Sequence, residues 1–157
     1  MNPFDYKVKD DECEAFKLAC YHNTSAKNPK AILYFLPDFG LSANNYGAFF
    51  KPFGAEATVR TYSFDRRGYG RSQGKRNALR TDDRGFRDHW DFFDAVAFLR
   101  GYPKTVPKIL VSHGLGSLFA MHLVAQRPGF FAGSILVSPW LAQKNSPSWI
   151  RKGSLQA

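Results

Sequence analysis

The side chains best suited to nucleophilic chemistry stand just after a short apolar run. Lys108 to Ser112 (KILVS) is followed by His113-Gly114-Leu115-Gly116-Ser117, and then by a largely apolar stretch that continues to Gln126. Serine hydroxyls and histidine imidazoles are the groups with which many proteins perform acyl transfer. This junction is therefore the first place to look for chemistry.

Other groups of polar residues point to neither a metal nor a cofactor. His89 lies near two aspartates on a predicted helix, but their spacing does not make a metal cluster, and a solvated face is expected. Cys13 and Cys20 are seven residues apart with no His/Cys cluster, which suggests neither zinc nor a disulfide framework. The glycine-rich stretch 68–74 lacks the lysine–serine pair of a phosphate-binding loop. No metal and no cofactor are predicted.

Strand and helix signals alternate along the chain, which predicts an α/β fold. Apolar strands separated by helices indicate a mostly parallel sheet with helices on both faces. Right-handed crossovers would then place the loops that follow the strands along one edge, where function is expected. The predicted strands are Glu14–Tyr21, Ala31–Leu36, Thr58–Phe64, Lys108–Ser112 and Gly133–Val137, and the predicted helices are Asn44–Phe53, Asp82–Arg100 and Leu115–Gln126.

Four segments in order carry a resemblance to a known family. A buried strand, a G-H-S-M-G-G turn and a helix of the family are matched by ILVSHGLGSLFAMHLVAQRPG, and its D-x-x-G-x-G-x-S-x-G segment is matched by FDRRGYGRSQG. A strand with its His-Gly loop is matched by ILYFLPDFG, and the end of a helix is matched by FLRGYPK. Together they resemble the α/β-hydrolases, closest to the monoacylglycerol lipase and lysophospholipase group of serine aminopeptidase S33 type. The resemblance covers about residues 14–142.

The resemblance implies that the catalytic parts are altered. The family's nucleophile serine, which a strained turn lifts clear of the sheet, corresponds to Gly114. The family's His-Gly corresponds to Pro37-Asp38. The oxyanion hole would be formed by backbone N–H groups of this loop, near Phe39, and of Leu115. Without a side chain at residue 114 there is no group to acylate, so no catalytic residue is assigned.

The resemblance also implies a shortened fold. The family's acid and histidine follow two later strands, yet no Asp or Glu follows Asp94 and no His follows His122. We therefore expect the front half of an α/β-hydrolase fold that lacks the later strands and cap, and a protein that is not an enzyme. Its domain is predicted to span residues 1–142, with a basic Ser/Pro-containing tail at 143–157.

The charge distribution predicts anionic partners. The formal net charge is +9 and the pI is about 9.7. A basic surface attracts RNA, anionic lipid or acidic protein, although a solvated face with no specific partner would look the same. The candidate residues for anion or partner binding are the six cations of one stretch without acids: Arg66, Arg67, Arg71, Lys75, Arg76 and Arg80.

Three functions are compatible with these patterns. The first is a non-catalytic hydrolase-like subunit of a larger protein assembly. The second is a lipid or small-molecule binding module that uses the remaining cleft. The third is a serine hydrolase completed by another chain. No secretory signal and no transmembrane run is recognisable, so the predicted location is intracellular, in a mitochondrial assembly, with the cytoplasm as the alternative.

Overall fold

Six strands form one mixed sheet in the computed structural model, which describes residues 2–9, 15–22, 28–55, 58–76, 86–90, 92–93, 103 and 105–140. The sheet order is β1-β2-β4-β3-β5-β6, with β3 parallel to β4 and β5, and β5 parallel to β6. The mostly parallel sheet predicted from the sequence is therefore confirmed. The strands are β1 (Asn2–Lys9), β2 (Ala15–His22), β3 (Ala31–Leu36), β4 (Val59–Phe64), β5 (Lys108–His113) and β6 (Gly133–Val137).

Strand β1 was not predicted. It pairs antiparallel with β2 along its whole length, from Asn2 opposite His22 to Lys9 opposite Ala15. Its sequence, NPFDYKVK, alternates polar and apolar residues, which is typical of a half-exposed strand. The charged residues at alternate positions obscured this signal, because the continuous apolar runs of β3 and β5 dominate the hydrophobic pattern.

Helices cover both faces of the sheet, as the sequence predicted. A 3-10 turn (Ala43–Tyr46), capped by Ser42, leads into α1 (Gly47–Ala55), and α2 spans Gly116–Gln126. Residues 86–90 and 92–93 are also helical. The rest of the helix predicted from Asp82 to Arg100, and the predicted tail, lie outside the described residues.

Neighbouring side chains of β3 show how the two faces are built. Tyr34 is fully buried and packs on Phe93 with ring centroids 4.6 Å apart, in the larger core that also contains residues of α2. Phe35 points to the opposite face and packs on Phe50 of α1 at 5.3 Å. Alternation along one strand therefore supplies two cores, which is the arrangement of a parallel sheet buried on both sides.

His89 belongs to the larger core. Its ring is buried, and it stacks on Phe119 of α2 at 5.1 Å and meets the edge of Phe64 at 4.9 Å. The prediction of a solvated face at this residue is therefore wrong. A buried imidazole packs well between aromatic rings, and the pattern of neighbouring acids gave no sign of this.

Candidate functional site

The turn between β5 and α2 is shaped around Gly114. Its φ of +54° lies in the left-handed region, which glycine enters at little cost. Its N–H donates to the Val137 carbonyl at 3.1 Å, and its own carbonyl accepts from Ser117 N at 3.1 Å and from Trp140 N at 3.1 Å. The turn is therefore tied both to the start of α2 and to the end of β6.

The two serines that flank the turn point away from its tip. Ser112 and Ser117 are both fully buried, and the Ser112 hydroxyl donates to Ser117 Oγ at 3.1 Å. Gly116 lets α2 begin directly against the end of β3, since a Cβ there would lie 2.6 Å from the Leu36 carbonyl oxygen. Both hydroxyls therefore lie inside the protein and contact each other.

The Asp38 carboxylate occupies the space above Gly114. A Cβ built on Gly114 would collide with all three atoms of this carboxyl group. Asp38 Oδ1 accepts one hydrogen bond from Leu115 N at 2.7 Å and another from Phe39 N at 2.7 Å. Two backbone donors thus converge on one oxygen, as they do in an oxyanion hole. Here that oxygen belongs to the Asp38 side chain and not to a substrate.

Asp38 reaches this position because two parallel strands end together. In the register of β3 and β5, Leu36 lies opposite Ser112, so Pro37-Asp38 and His113-Gly114 follow at the same edge. The predicted loop residues Pro37, Asp38 and Phe39 and the predicted Leu115 are therefore brought together around Gly114. The sequence did place a negative charge near this site. It gave no indication that the charge would rest on the oxyanion donors.

Tyr46 links the loop to His113, and sequence analysis missed it. The Asp38 N–H donates to Tyr46 Oη at 3.0 Å, and Oη lies 3.0 Å from His113 Nδ1. His113 Nδ1 is 3.9 Å from Asp38 Oδ2, with both side chains about one-third exposed. Burial is the main cause that raises the pKa of Tyr46 above its ordinary value of 10.0, so the phenol stays protonated at neutral pH. No local pattern around Tyr46 could have revealed this bridge.

A buried carboxylate organises the loop that follows β4. Asp65 is fully buried, and its two oxygens accept from the Tyr21 hydroxyl at 2.8 Å, Ala43 N at 2.8 Å and Arg71 N at 2.9 Å. A Cβ on Gly70 would strike the same carboxyl group. The D-x-x-G-x-G-x-S segment therefore serves to position the loop, since its glycine makes room for its aspartate.

The next residue, Arg66, is buried and contacts the backbone of the Asp38 loop. Its Nη2 donates to the Asp38 carbonyl at 2.9 Å, and its guanidinium carbon lies 5.3 Å from the centre of the Phe119 ring. Burial lowers the pKa of Arg66, and interactions with Tyr69, Asp38 and Tyr46 partly offset this effect. Arg66 therefore supports the Asp38 loop from inside the protein.

The six predicted cations occupy different environments. Arg66 and Arg67 are largely buried, and Arg67 pairs with the buried Asp88. Arg71, Lys75 and Arg76 are exposed, with Arg76 Nη1 donating to the Gly70 carbonyl at 2.8 Å. Arg80 lies outside the described residues. Of the five cations of this stretch that the structure describes, only Arg71, Lys75 and Arg76 face solvent. Binding of anions or partners by the stretch stays a prediction.

The described part of the chain offers neither a metal-ion site nor a membrane-spanning helix. Within it, no three His, Cys, Asp or Glu side chains are grouped so that they could hold a metal ion. Within the same residues, no helix has the length and apolar character required to cross a membrane.

The sheet order, the glycine turn and the paired backbone donors define an α/β-hydrolase with its nucleophile elbow. Residues 27–156 match the family model of serine aminopeptidase S33, and the chain belongs to that family. The human monoglyceride lipase is 28% identical over 123 residues, which are 78% of this chain and 39% of the relative. The monoacylglycerol lipase of Mycolicibacterium smegmatis is 30% identical over 116 residues, 74% of this chain and 40% of the relative.

Solved structures agree on the fold. The monoacylglycerol lipase of Paleococcus ferrophilus superposes with a TM-score of 0.67 at 22% identity, over 85% of this chain and 48% of that one. A soluble variant of the Saccharomyces cerevisiae monoglyceride lipase, in complex with a substrate analog, gives 0.69 at 15% identity, over 88% and 45%. This chain spans about two fifths of the length of the curated relatives that it matches.

These relatives correct one expectation. The altered catalytic positions led us to predict that the protein is not an enzyme, whereas the similar proteins are named as lipases, so the chain belongs to an enzyme family. That prediction rested on Gly114, on Pro37-Asp38 and on the absence of an acid and a histidine from the later part of the chain. The elbow geometry is retained, and a different polar group, the Asp38 carboxylate, occupies it.

Proposed function

We propose that the edge of the sheet where Asp38 meets the Gly114 turn recognises a neutral, hydroxyl-bearing acyl lipid of the monoacylglycerol class. The observation that carries the proposal is the Asp38 carboxylate at the elbow tip. Its Oδ1 is held by two backbone donors, while the side chain as a whole keeps 30% of its surface exposed. An ionised carboxylate only accepts hydrogen bonds, so it suits the hydroxyl groups of a glycerol moiety. It repels the anionic head of a free fatty acid.

Apolar surface next to this carboxylate suits an acyl chain. Phe39 is 44% exposed and Leu41 is 36% exposed on the Asp38 loop, and Trp140, whose N–H binds the Gly114 carbonyl, is 38% exposed. Exposed apolar groups gathered around a polar centre are typical of ligand sites. The names of the relatives, monoglyceride and monoacylglycerol lipases, support the same lipid class.

Binding should therefore favour the neutral lipid over the anion. We expect 1-decanoylglycerol to bind at least about tenfold more tightly than decanoate, a ratio that corresponds to about 1.4 kcal/mol. Asp38→Asn should reduce this ratio toward one, because the amide neither repels the anion nor accepts as strongly. Tryptophan fluorescence titration below the micelle concentration measures both affinities.

Asp5→Asn is the matched control, since Asp5 is an exposed carboxylate paired with Lys17 on the β1–β2 hairpin. It should leave the ratio unchanged. Equal affinities for both lipids in the wild-type protein, or no saturable change with either, would contradict the proposal.

A second function is supported by β6. We propose that the chain also serves as a subunit of a larger protein assembly, which we place in mitochondria because of its basic charge. β6 pairs with β5, and among the described residues no strand pairs with its other edge. Ile135 is 54% exposed and Val137 is 43% exposed. A free edge with apolar side chains suits pairing with a strand of another polypeptide.

Size fractionation of a native extract tests this second proposal. We expect the chain to migrate far above its own 17.8 kDa with a fixed set of companions. Ile135→Lys should shift it toward lower mass, because a charge on β6 opposes strand pairing. Phe49→Lys, at an exposed site on α1, should not. Migration of the wild-type chain as a monomer would rule the assembly out.

A further inference from the structure

Two buried polar groups lie on the loop after β4 without hydrogen-bond partners. Arg66 keeps 8% of its surface exposed and Tyr69 keeps 4%, yet Arg66 Nη1 and Tyr69 Oη have no partner in the described part of the chain. Within the same residues no carboxylate forms an ion pair with Arg66, and Asp38 contacts it only through the backbone carbonyl, 2.9 Å from Nη2. A buried cation without a counter-ion and a buried hydroxyl without an acceptor both cost stability.

The two groups belong to one turn with aromatic surroundings. Arg66 and Tyr69 are its first and last residues, and the Tyr69 N–H donates to the Arg66 carbonyl at 2.9 Å. The guanidinium carbon of Arg66 is 5.4 Å from the centre of the Tyr69 ring and 5.3 Å from that of Phe119. Burial raises the pKa of Tyr69 above its ordinary value of 10.0, so its hydroxyl remains a donor at neutral pH. The turn therefore holds a cationic N–H donor and a phenol donor next to each other.

We propose that Arg66 and Tyr69 form a binding site for a small monovalent oxyanion, either the carboxylate of a short acid or an inorganic anion of similar shape. Guanidinium and hydroxyl donors both match negatively charged oxygen acceptors. The cost of removing an ion from water rises with the square of its charge, so a site bordered by aromatic rings favours a monovalent anion over a dianion. The site is independent of lipid recognition by Asp38, and it uses the buried Arg66 rather than the exposed cations of the same stretch.

Phe39 provides the route by which an anion can enter. Its ring meets the edge of the Tyr69 ring, with centroids 5.7 Å apart, and the side chain is 44% exposed. Exposed side chains change rotamer on a timescale of picoseconds to nanoseconds, so movement of this one ring uncovers Tyr69 without unfolding the loop. Anion binding is also connected to the Asp38 loop, because Arg66 donates to the Asp38 carbonyl.

Saturation-transfer NMR tests the site with formate as the probe, because the single proton of formate reports direct contact with the protein. We would titrate the whole chain with sodium formate and hold the ionic strength constant with sodium gluconate, whose anion is bulky. The wild-type protein should give a saturable signal. Tyr69→Phe should weaken formate binding at least about fivefold, and Arg66→Met at least about tenfold, because each variant loses a donor to a charged acceptor. Arg71→Met, at an exposed cation of the same loop, should bind formate as the wild-type protein does.

Nitrate and sulfate, added as competitors, identify the class of anion. Displacement of formate by nitrate would assign the site to planar oxyanions in general, whereas formate binding that nitrate leaves unchanged would restrict it to carboxylates. The proposal would be overturned if the wild-type protein gave no saturable formate signal, or if sulfate displaced formate at equal concentration. It would also be overturned if Arg71→Met weakened binding as much as Tyr69→Phe. If Arg66→Met does not fold, as judged by circular dichroism, Tyr69→Phe decides alone, since it keeps the ring and removes only the hydroxyl.

Discussion

Gly114→Ser, the substitution that would restore a serine at the elbow, is expected to lower the free energy of unfolding by about 3 kcal/mol. Two effects contribute. A side chain at φ +54° is strained, and its Cβ would collide with the Asp38 carboxyl group. Urea denaturation followed by circular dichroism measures the loss.

Gly129→Ser separates the two effects. Gly129 also has a positive φ, +81°, but a Cβ there meets nothing within 4 Å. This control should cost only about 1 kcal/mol, the backbone penalty alone. In a double-mutant cycle, the change in free energy of unfolding caused by Asp38→Ala should be about 2 kcal/mol more favourable in the Gly114→Ser background than in the wild-type protein. Equal losses for the two serine variants, with an additive cycle, would show that the carboxylate does not occupy the elbow.

Asp65→Ala is expected to destabilise the protein by roughly 4 kcal/mol, because hydrogen bonds to a buried charged group are strong and three donors would lose their acceptor. The donors come from three parts of the chain: the Tyr21 hydroxyl on β2, Ala43 N in the 3-10 turn and Arg71 N in the loop after β4. The cost should therefore exceed that of any single contact. Urea denaturation with a global fit measures it.

Two variants calibrate this result. Asp65→Asn keeps the shape but loses the charge and one acceptor, so about half of the loss is expected. Asp5→Ala removes a carboxylate whose side chain is 46% exposed and paired with Lys17, and should cost less than about 1 kcal/mol. If Asp65→Ala cost no more than Asp5→Ala, the loop would not depend on the buried carboxylate.

The elements that sequence analysis located are those with strong local signals. β3, β5 and β6 are apolar runs with clear limits, and the structure places them at Ala31–Leu36, Lys108–His113 and Gly133–Val137. The family was also evident, because four motifs occur in order along the chain. Sequence analysis missed β1 because its alternating pattern is a weak signal without knowledge of its partner β2. It also missed the burial of His89, which depends on aromatic residues distant in sequence.

Function was harder to infer than fold. Gly114 lies in the turn between β5 and α2, but the prediction that the protein is not an enzyme was wrong, because the chain belongs to a family whose similar members are named as lipases. A missing side chain is visible in a sequence. The group that occupies the space it leaves comes from elsewhere in the chain, and only packing identifies it.

The sequence by itself determined the α/β fold class, the position of the elbow and the presence of Asp38 in the loop after β3, because hydrophobic runs and glycine motifs are local properties. Only the tertiary structure decided that the Asp38 carboxylate sits on the Leu115 N–H, 77 residues away, and that Tyr46 connects that loop to His113. The physical reason is the parallel pairing of β3 with β5. That pairing brings the carboxyl ends of the two strands to one edge, and hydrogen bonds between the loops there depend on the assembled sheet.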